Sequence, residues 1–77
     1  MSTVELQRVK HTWASVSRYV FVPHNEEEYH RLVELLDNVI DEVGEDEFHP
    51  LASLMELLGT LIERYETENV PEIVQQR

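Results

Sequence analysis

Apolar residues recur at intervals of three and four along three stretches of the chain, the spacing that places side chains on one face of an α-helix. The first stretch forms a narrow line, which suits a helix lying in a groove made by other helices. Its members are Leu6, Val9, Trp13, Val16 and Val20. Ser2 and Glu5 have capping-box spacing and predict the start of this helix. Pro23 ends it, because proline disfavours helical geometry at the preceding residue.

The second and third stretches carry wider apolar stripes that match each other position for position. The second stripe comprises Tyr29, Leu32, Val33, Leu36, Val39, Ile40 and Val43, and the third, 22 residues later, comprises Leu51, Leu54, Met55, Leu58, Leu61, Ile62 and Tyr65. Two equal stripes with a short connection predict an antiparallel helix hairpin in which each stripe buries the other. Leu35 and Leu57 lie one step beyond the same edge, and we expect them to form an exposed apolar shoulder.

Local signals place the two hairpin helices near residues 26–43 and 50–68. Asn25 is a favourable N-cap, Gly44 is a left-handed C-terminal stop, and Pro50 suits a first helical position. Gly59 costs about 1 kcal/mol relative to alanine within a helix. We expect close approach of another helix to compensate, and a merely tolerated glycine is the alternative.

These elements predict an all-α fold, a three-helix arrangement built on an antiparallel helix hairpin. Its expected parts are an N-terminal helix over 1–22, the hairpin over 23–69 and a tail or linker over 70–77. The apolar edge that the first helix does not fill is available for a dimer or for another partner. We therefore predict a homodimer.

Charge divides the chain into two unequal parts. Residues 1–22 carry one acidic and three basic side chains, whereas residues 23–77 carry 15 acidic side chains and three arginines, a net charge of −12. So acidic a surface repels phosphate backbones, which argues against nucleic-acid binding. It attracts and orients a basic protein. Solubility alone is the alternative explanation of the charge.

The composition limits how so short a chain can be stabilised. There are 77 residues and no cysteine, so disulfides and cysteine-bound metals are excluded and association remains as a source of stability. The lack of cysteine fits a reducing cytoplasm. No apolar run approaches the roughly 18 residues of a membrane span, and no signal peptide is evident. We predict a cytoplasmic protein that does not enter membranes.

Two acidic–histidine pairs have the spacing of di-iron ligands. Glu27 and His30 are three residues apart, as are Asp46 and His49. A di-iron site needs further inward-facing carboxylates, but both stripes lack acidic residues. We therefore predict neither a metal nor a cofactor.

The remaining candidates for chemistry have simpler explanations. Trp13 and Tyr65 could stack on a ligand, but their apolar spacing is more typical of a core. His24 and His30 flank an acidic turn and could sense pH, although surface histidines of this kind are usually silent. No catalytic triad or phosphate-binding loop is present. We predict that the chain is not an enzyme.

Three segments together resemble the N-terminal region of HigA-type antitoxins of bacterial toxin–antitoxin systems. The segments are Asn25-Glu26-Glu27-Glu28-Tyr29 with Leu35-Leu36-Asp37, then Asp46-Glu47-Phe48-His49-Pro50-Leu51-Ala52, then Leu58-Gly59-x-Leu61-Ile62-Glu63-x-Tyr65-Glu66. The resemblance covers roughly residues 23–72. It gives His49, Pro50, Leu51, Gly59, Tyr65 and Glu66 a structural role.

The resemblance implies that the domain binds a small basic ribonuclease toxin and holds it inactive. The family usually carries a C-terminal helix-turn-helix domain as well, and this chain ends at Arg77, where the connection to that domain would begin. We therefore expect no DNA binding by this chain. The predicted partner-binding residues are Trp13, Glu34, Leu35, Asp37, Asp41, Glu42, Glu56, Leu57 and Glu63. The alternative is a homodimerising helical module without a toxin partner.

Overall fold

The computed structural model describes residues 2–69, which form three α-helices and no strand. Helix α1 spans Thr3–Val16, α2 spans Glu26–Val43 and α3 spans Ala52–Asn69. The all-α prediction is confirmed. The predicted tail over 70–77 lies outside the described residues. No helix within residues 2–69 is long and apolar enough to cross a membrane.

Helices α2 and α3 pack against each other as an antiparallel hairpin. Each has 18 residues and is about 27 Å long. Leu32 and Leu58 are fully buried at its centre, and burying such a side chain contributes about 1.5–3 kcal/mol. Val39, Val43 and Ile62 complete the core that the two stripes share. The matched stripes therefore do bury each other.

The predicted caps form at the first two helices. The Ser2 hydroxyl accepts a hydrogen bond from the Glu5 amide at 3.0 Å, and the Asn25 side chain accepts one from the Glu28 amide at 2.8 Å. The Glu28 carboxylate in turn accepts from the His24 amide at 2.8 Å. Gly44 ends α2 at φ 58° and ψ −129°, so its φ is positive as expected, although its ψ is not that of a left-handed helix.

Helix α1 differs most from its prediction. It ends at Val16, and Val20 lies instead in the buried core of the hairpin. Helix α1 packs against neither α2 nor α3, and none of its residues is buried. The prediction that it lies in a groove of the other helices is therefore wrong for this chain. The spacing of the apolar residues showed that one face of α1 is apolar, but it did not identify the surface that covers that face.

The segment over residues 17–24 packs on the hairpin in place of α1. Arg31 donates a hydrogen bond to the Arg18 carbonyl at 3.1 Å, and its guanidinium lies 5.1 Å from the centre of the Phe21 ring. Val20 and Pro23 are buried. We call the side of the hairpin that this segment lies on the covered face. Val20, at the end of the turn that follows α1, thus contributes to the core of the hairpin.

Three smaller details also differ from the sequence prediction. Ile40 is 45% exposed, although it belongs to the apolar stripe of α2. Helix α3 begins at Ala52, two residues after Pro50, which lies in the preceding turn. No side chain approaches within 4 Å of a Cβ built on Gly59. The close helix approach predicted at Gly59 is therefore missing from the described residues.

Candidate protein-binding surface

The motif residues near the end of α3 hold the open end of the hairpin together. The Tyr29 and Tyr65 rings stack with their centres 4.9 Å apart, and the Tyr29 hydroxyl donates to the Glu66 carboxylate at 2.5 Å. This hydrogen bond raises the pKa of Tyr29 above its ordinary value of 10.0, with smaller contributions from burial and from the charge of Glu66. Tyr65 therefore pairs with Tyr29, and the stacking partnership of Tyr65 with Trp13 is not formed.

The other motif shapes the closed end of the hairpin. The His49 ring accepts a hydrogen bond at Nδ1 from the Leu51 amide at 3.0 Å, within the turn that precedes α3. Its Nε2 lies 3.6 Å from a carboxylate oxygen of Glu42. Pro50 follows His49 in this turn, two residues before the start of α3. Both motifs of the resemblance thus join elements of the hairpin.

The six predicted carboxylates all lie on the exterior of the hairpin. They are Glu34, Asp37, Asp41, Glu42, Glu56 and Glu63, and every one is exposed. Of these, Glu42 has a basic partner, the His49 ring. The exterior can therefore act on a charged partner at a distance, but the geometry does not single out one of these residues as a contact, so their role stays a prediction.

The three predicted apolar anchors differ in how far their side chains are exposed. Leu57 is 48% exposed, as expected for a shoulder. Leu35 is half-buried and packs against the core, so it offers less apolar surface than expected. Trp13 is 50% exposed on α1, and the core position considered for it is wrong. Leu57 and Trp13 are therefore the accessible members of this set.

The structure also reveals an apolar surface that the sequence analysis did not single out. Helical spacing places it opposite the covered face, and we call it the open face: Val33 and Ile40 on α2, with Met55 and Gly59 on α3. Ile40 is exposed and the other three residues are half-buried. Helical spacing places Gly59 two turns before Glu66 and on the same side of α3. Glu66 bonds to Tyr29 and lines a cleft with His30, so this side of α3 faces the same way as the side of α2 that carries Val33. The apolar stripe of α2 is wide, and this width was the sequence feature from which an additional apolar face could have been predicted.

The acidic–histidine pairs do not converge on a metal site. Asp46 accepts a hydrogen bond from the Phe48 amide at 3.0 Å, and His49 accepts one from the Leu51 amide. Within residues 2–69, no cluster of three or more histidine, aspartate or glutamate side chains is arranged to hold a metal ion. These side chains instead shape the connection between α2 and α3.

The described residues thus form an all-helical hairpin domain with an acidic exterior and exposed apolar residues. A family model described as the N-terminal domain of HigA antitoxin matches residues 7–77. The chain belongs to this family, which confirms the resemblance. The HigA antitoxin family is generally non-enzymatic, and membership implies a toxin partner. Comparisons with curated proteins and with solved structures gave no significant match.

Proposed function

We propose that this domain is an antitoxin module that neutralises a small basic ribonuclease toxin by binding it directly in the cytoplasm. Family membership is the observation that carries the proposal. The net charge of −12 over residues 23–77 supports it, because an acidic exterior attracts a basic protein. The domain performs no catalysis and needs no cofactor in this role. It acts by binding the toxin and so holding it inactive.

Binding on this surface has two separable parts. The exposed carboxylates raise the rate of encounter with a basic toxin, and this effect weakens as salt screens the charges. Leu57 supplies an apolar anchor, since it is 48% exposed and carries an apolar side chain next to half-buried core residues. Apolar anchors contribute mainly by slowing dissociation.

The proposal is tested with any small basic protein whose gene adjoins that of this chain. The two purified proteins are mixed, and the association and dissociation rates are measured at low and raised salt. We expect tight binding, inhibition of RNA cleavage by the toxin, and an association rate that falls with salt. Absence of binding at low salt would refute the function, and a rate independent of salt would refute the steering.

Leu57→Asp tests the anchor, with Thr60→Asp as its matched control on the same helix. Both substitutions add one negative charge at an exposed position, but only the first removes apolar surface. We expect Leu57→Asp to raise the dissociation rate about tenfold or more, because truncating an apolar anchor typically costs more than about 1 kcal/mol of binding free energy. Thr60→Asp should leave that rate nearly unchanged. Equal effects of both variants would contradict an apolar anchor.

A second candidate is a homodimerising helical module without a toxin partner. The unpacked α1 helix favours association of some kind. A chain that dimerises but neither binds nor inhibits the neighbouring protein would support this alternative over the antitoxin function.

A further inference from the structure

Helix α1 has an apolar face that no other part of residues 2–69 covers. Val9, Trp13 and Val16 line a shallow groove along this helix, and all three are exposed. A helix of 14 residues is marginally stable in water without tertiary packing. The helix therefore needs a surface outside its own hairpin against which to pack.

Charge indicates what kind of surface this is. Helix α1 carries Arg8 and Lys10 against the single acid Glu5, so it is basic overall. A second α1 or a basic toxin would therefore be repelled by it, whereas an acidic surface would be attracted. The hairpin of another copy of this chain is such a surface.

The open face of the hairpin fits a basic amphipathic helix. Its apolar centre includes Ile40, which is 45% exposed, and Gly59, which has free space where a side chain would stand. Helical spacing places acidic residues along both of its edges, Asp37 and Asp41 on α2 and Glu56 and Glu63 on α3. An apolar strip with acidic rims is complementary to a helix with an apolar seam and basic flanks.

The open face of the same chain is not accessible to α1 in this fold. Residues 17–24 connect α1 to α2 along the covered face, where Arg31 holds the Arg18 carbonyl and Val20 and Pro23 are buried. Helix α1 therefore leaves the hairpin from the side opposite its open face. Docking between two copies leaves this anchored segment in place.

We propose that α1 of each chain docks on the open face of a second copy, forming a reciprocal dimer with two equivalent contacts. Trp13 inserts between α2 and α3 of the partner, where Gly59 lets the helix backbone approach closely. Arg8 and Lys10 lie against the acidic rims. This inference is independent of the proposed toxin binding, and its tests use the chain alone.

Trp13 is the only tryptophan and therefore reports on the contact directly. Its fluorescence and its quenching by acrylamide are measured from micromolar to millimolar chain, in parallel with sedimentation. Docking predicts a blue shift and reduced quenching over the concentration range in which the dimer forms. A monomer at all concentrations, or a dimer with unchanged Trp13 emission, would overturn the proposal.

Mixing two defective variants tests the reciprocal geometry. Trp13→Asp disrupts the apolar face of the docking helix, and His11→Asp on the opposite side of α1 is its control. Ile40→Asp damages the open face, with Asn38→Asp as its control. Each defective variant should dimerise at least about tenfold more weakly than its control. Circular dichroism verifies that each variant is folded.

An equimolar mixture of Trp13→Asp and Ile40→Asp should recover a heterodimer, because one intact helix then meets one intact open face. Native mass spectrometry separates this heterodimer from either homodimer when one variant is isotope-labelled. A contact of α1 with α1, or of open face with open face, would leave the mixture as monomeric as its components. That outcome would overturn reciprocal docking, as would full dimerisation by Trp13→Asp alone.

Discussion

Replacing each of the two glycines separately with alanine should shift the free energy of unfolding in opposite directions. At Gly59 the backbone is helical and nothing lies within 4 Å of an added Cβ. Alanine there gains about 0.8–1.0 kcal/mol of helix propensity. At Gly44 the φ of 58° and ψ of −129° are strained for any residue with a side chain, at a cost of about 1–3 kcal/mol.

The two variants should therefore differ from each other by about 2–4 kcal/mol. For a domain of this size, 1 kcal/mol corresponds to about 4–8 °C in Tm. Urea and thermal unfolding are followed by far-ultraviolet circular dichroism, because Trp13 lies outside the core and reports poorly on the hairpin. The chain is kept at concentrations at which sedimentation shows a monomer, since dimer formation would add to the apparent stability.

Destabilisation by Gly59→Ala in the monomer would refute the reasoning, because it would mean that another group already occupies the space beside Gly59. A neutral Gly44→Ala would equally contradict the positive φ that ends α2. The two substitutions add the same methyl group to the same chain, so each serves as the control for the other.

Three further substitutions test the contacts within the hairpin. Tyr29→Phe should cost about 1 kcal/mol by removing the hydrogen bond to Glu66. Because the folded state raises the Tyr29 pKa above 10.0, the stabilisation is present below pH 10 and is lost as the pH rises through the folded pKa, so the variant should lose this alkaline dependence. His49→Ala should cost about 1 kcal/mol, whereas His49→Asn should keep the hydrogen bond from the Leu51 amide. Leu58→Ala should cost about 2–5 kcal/mol and unfold much of the chain.

Each of these outcomes has a direct check by urea unfolding. An alkaline stability profile of Tyr29→Phe that matches the parent chain would disprove the link to Glu66. Equal losses in His49→Ala and His49→Asn would mean that the ring acts through packing and not through its hydrogen bond with the Leu51 amide. Only a small loss in Leu58→Ala would show that the core is elsewhere.

The hairpin could be predicted from the sequence because its signals are local. The repeated stripes specify which side of α2 and α3 is apolar, and Asn25 and Gly44 end α2 through contacts within a few residues. The motif residues also marked the contacts at both ends of the hairpin, although their partners, Tyr29 and Glu42, became evident only in the fold. Local spacing is enough when each stripe has one obvious partner.

Tertiary structure alone decided the position of everything outside the two stripes. The pattern around Val20 suits a helix seam, yet this residue is buried against the hairpin because the turn after α1 places it there. The segment that carries Val20 lies on the covered face of the hairpin, so Ile40 and Gly59 remain on the open face and α1 does not pack on the hairpin. An apolar stripe indicates that one face of a helix will be covered. Which surface covers it depends on residues distant in the chain, and the periodicity of the helix itself carries no information about them.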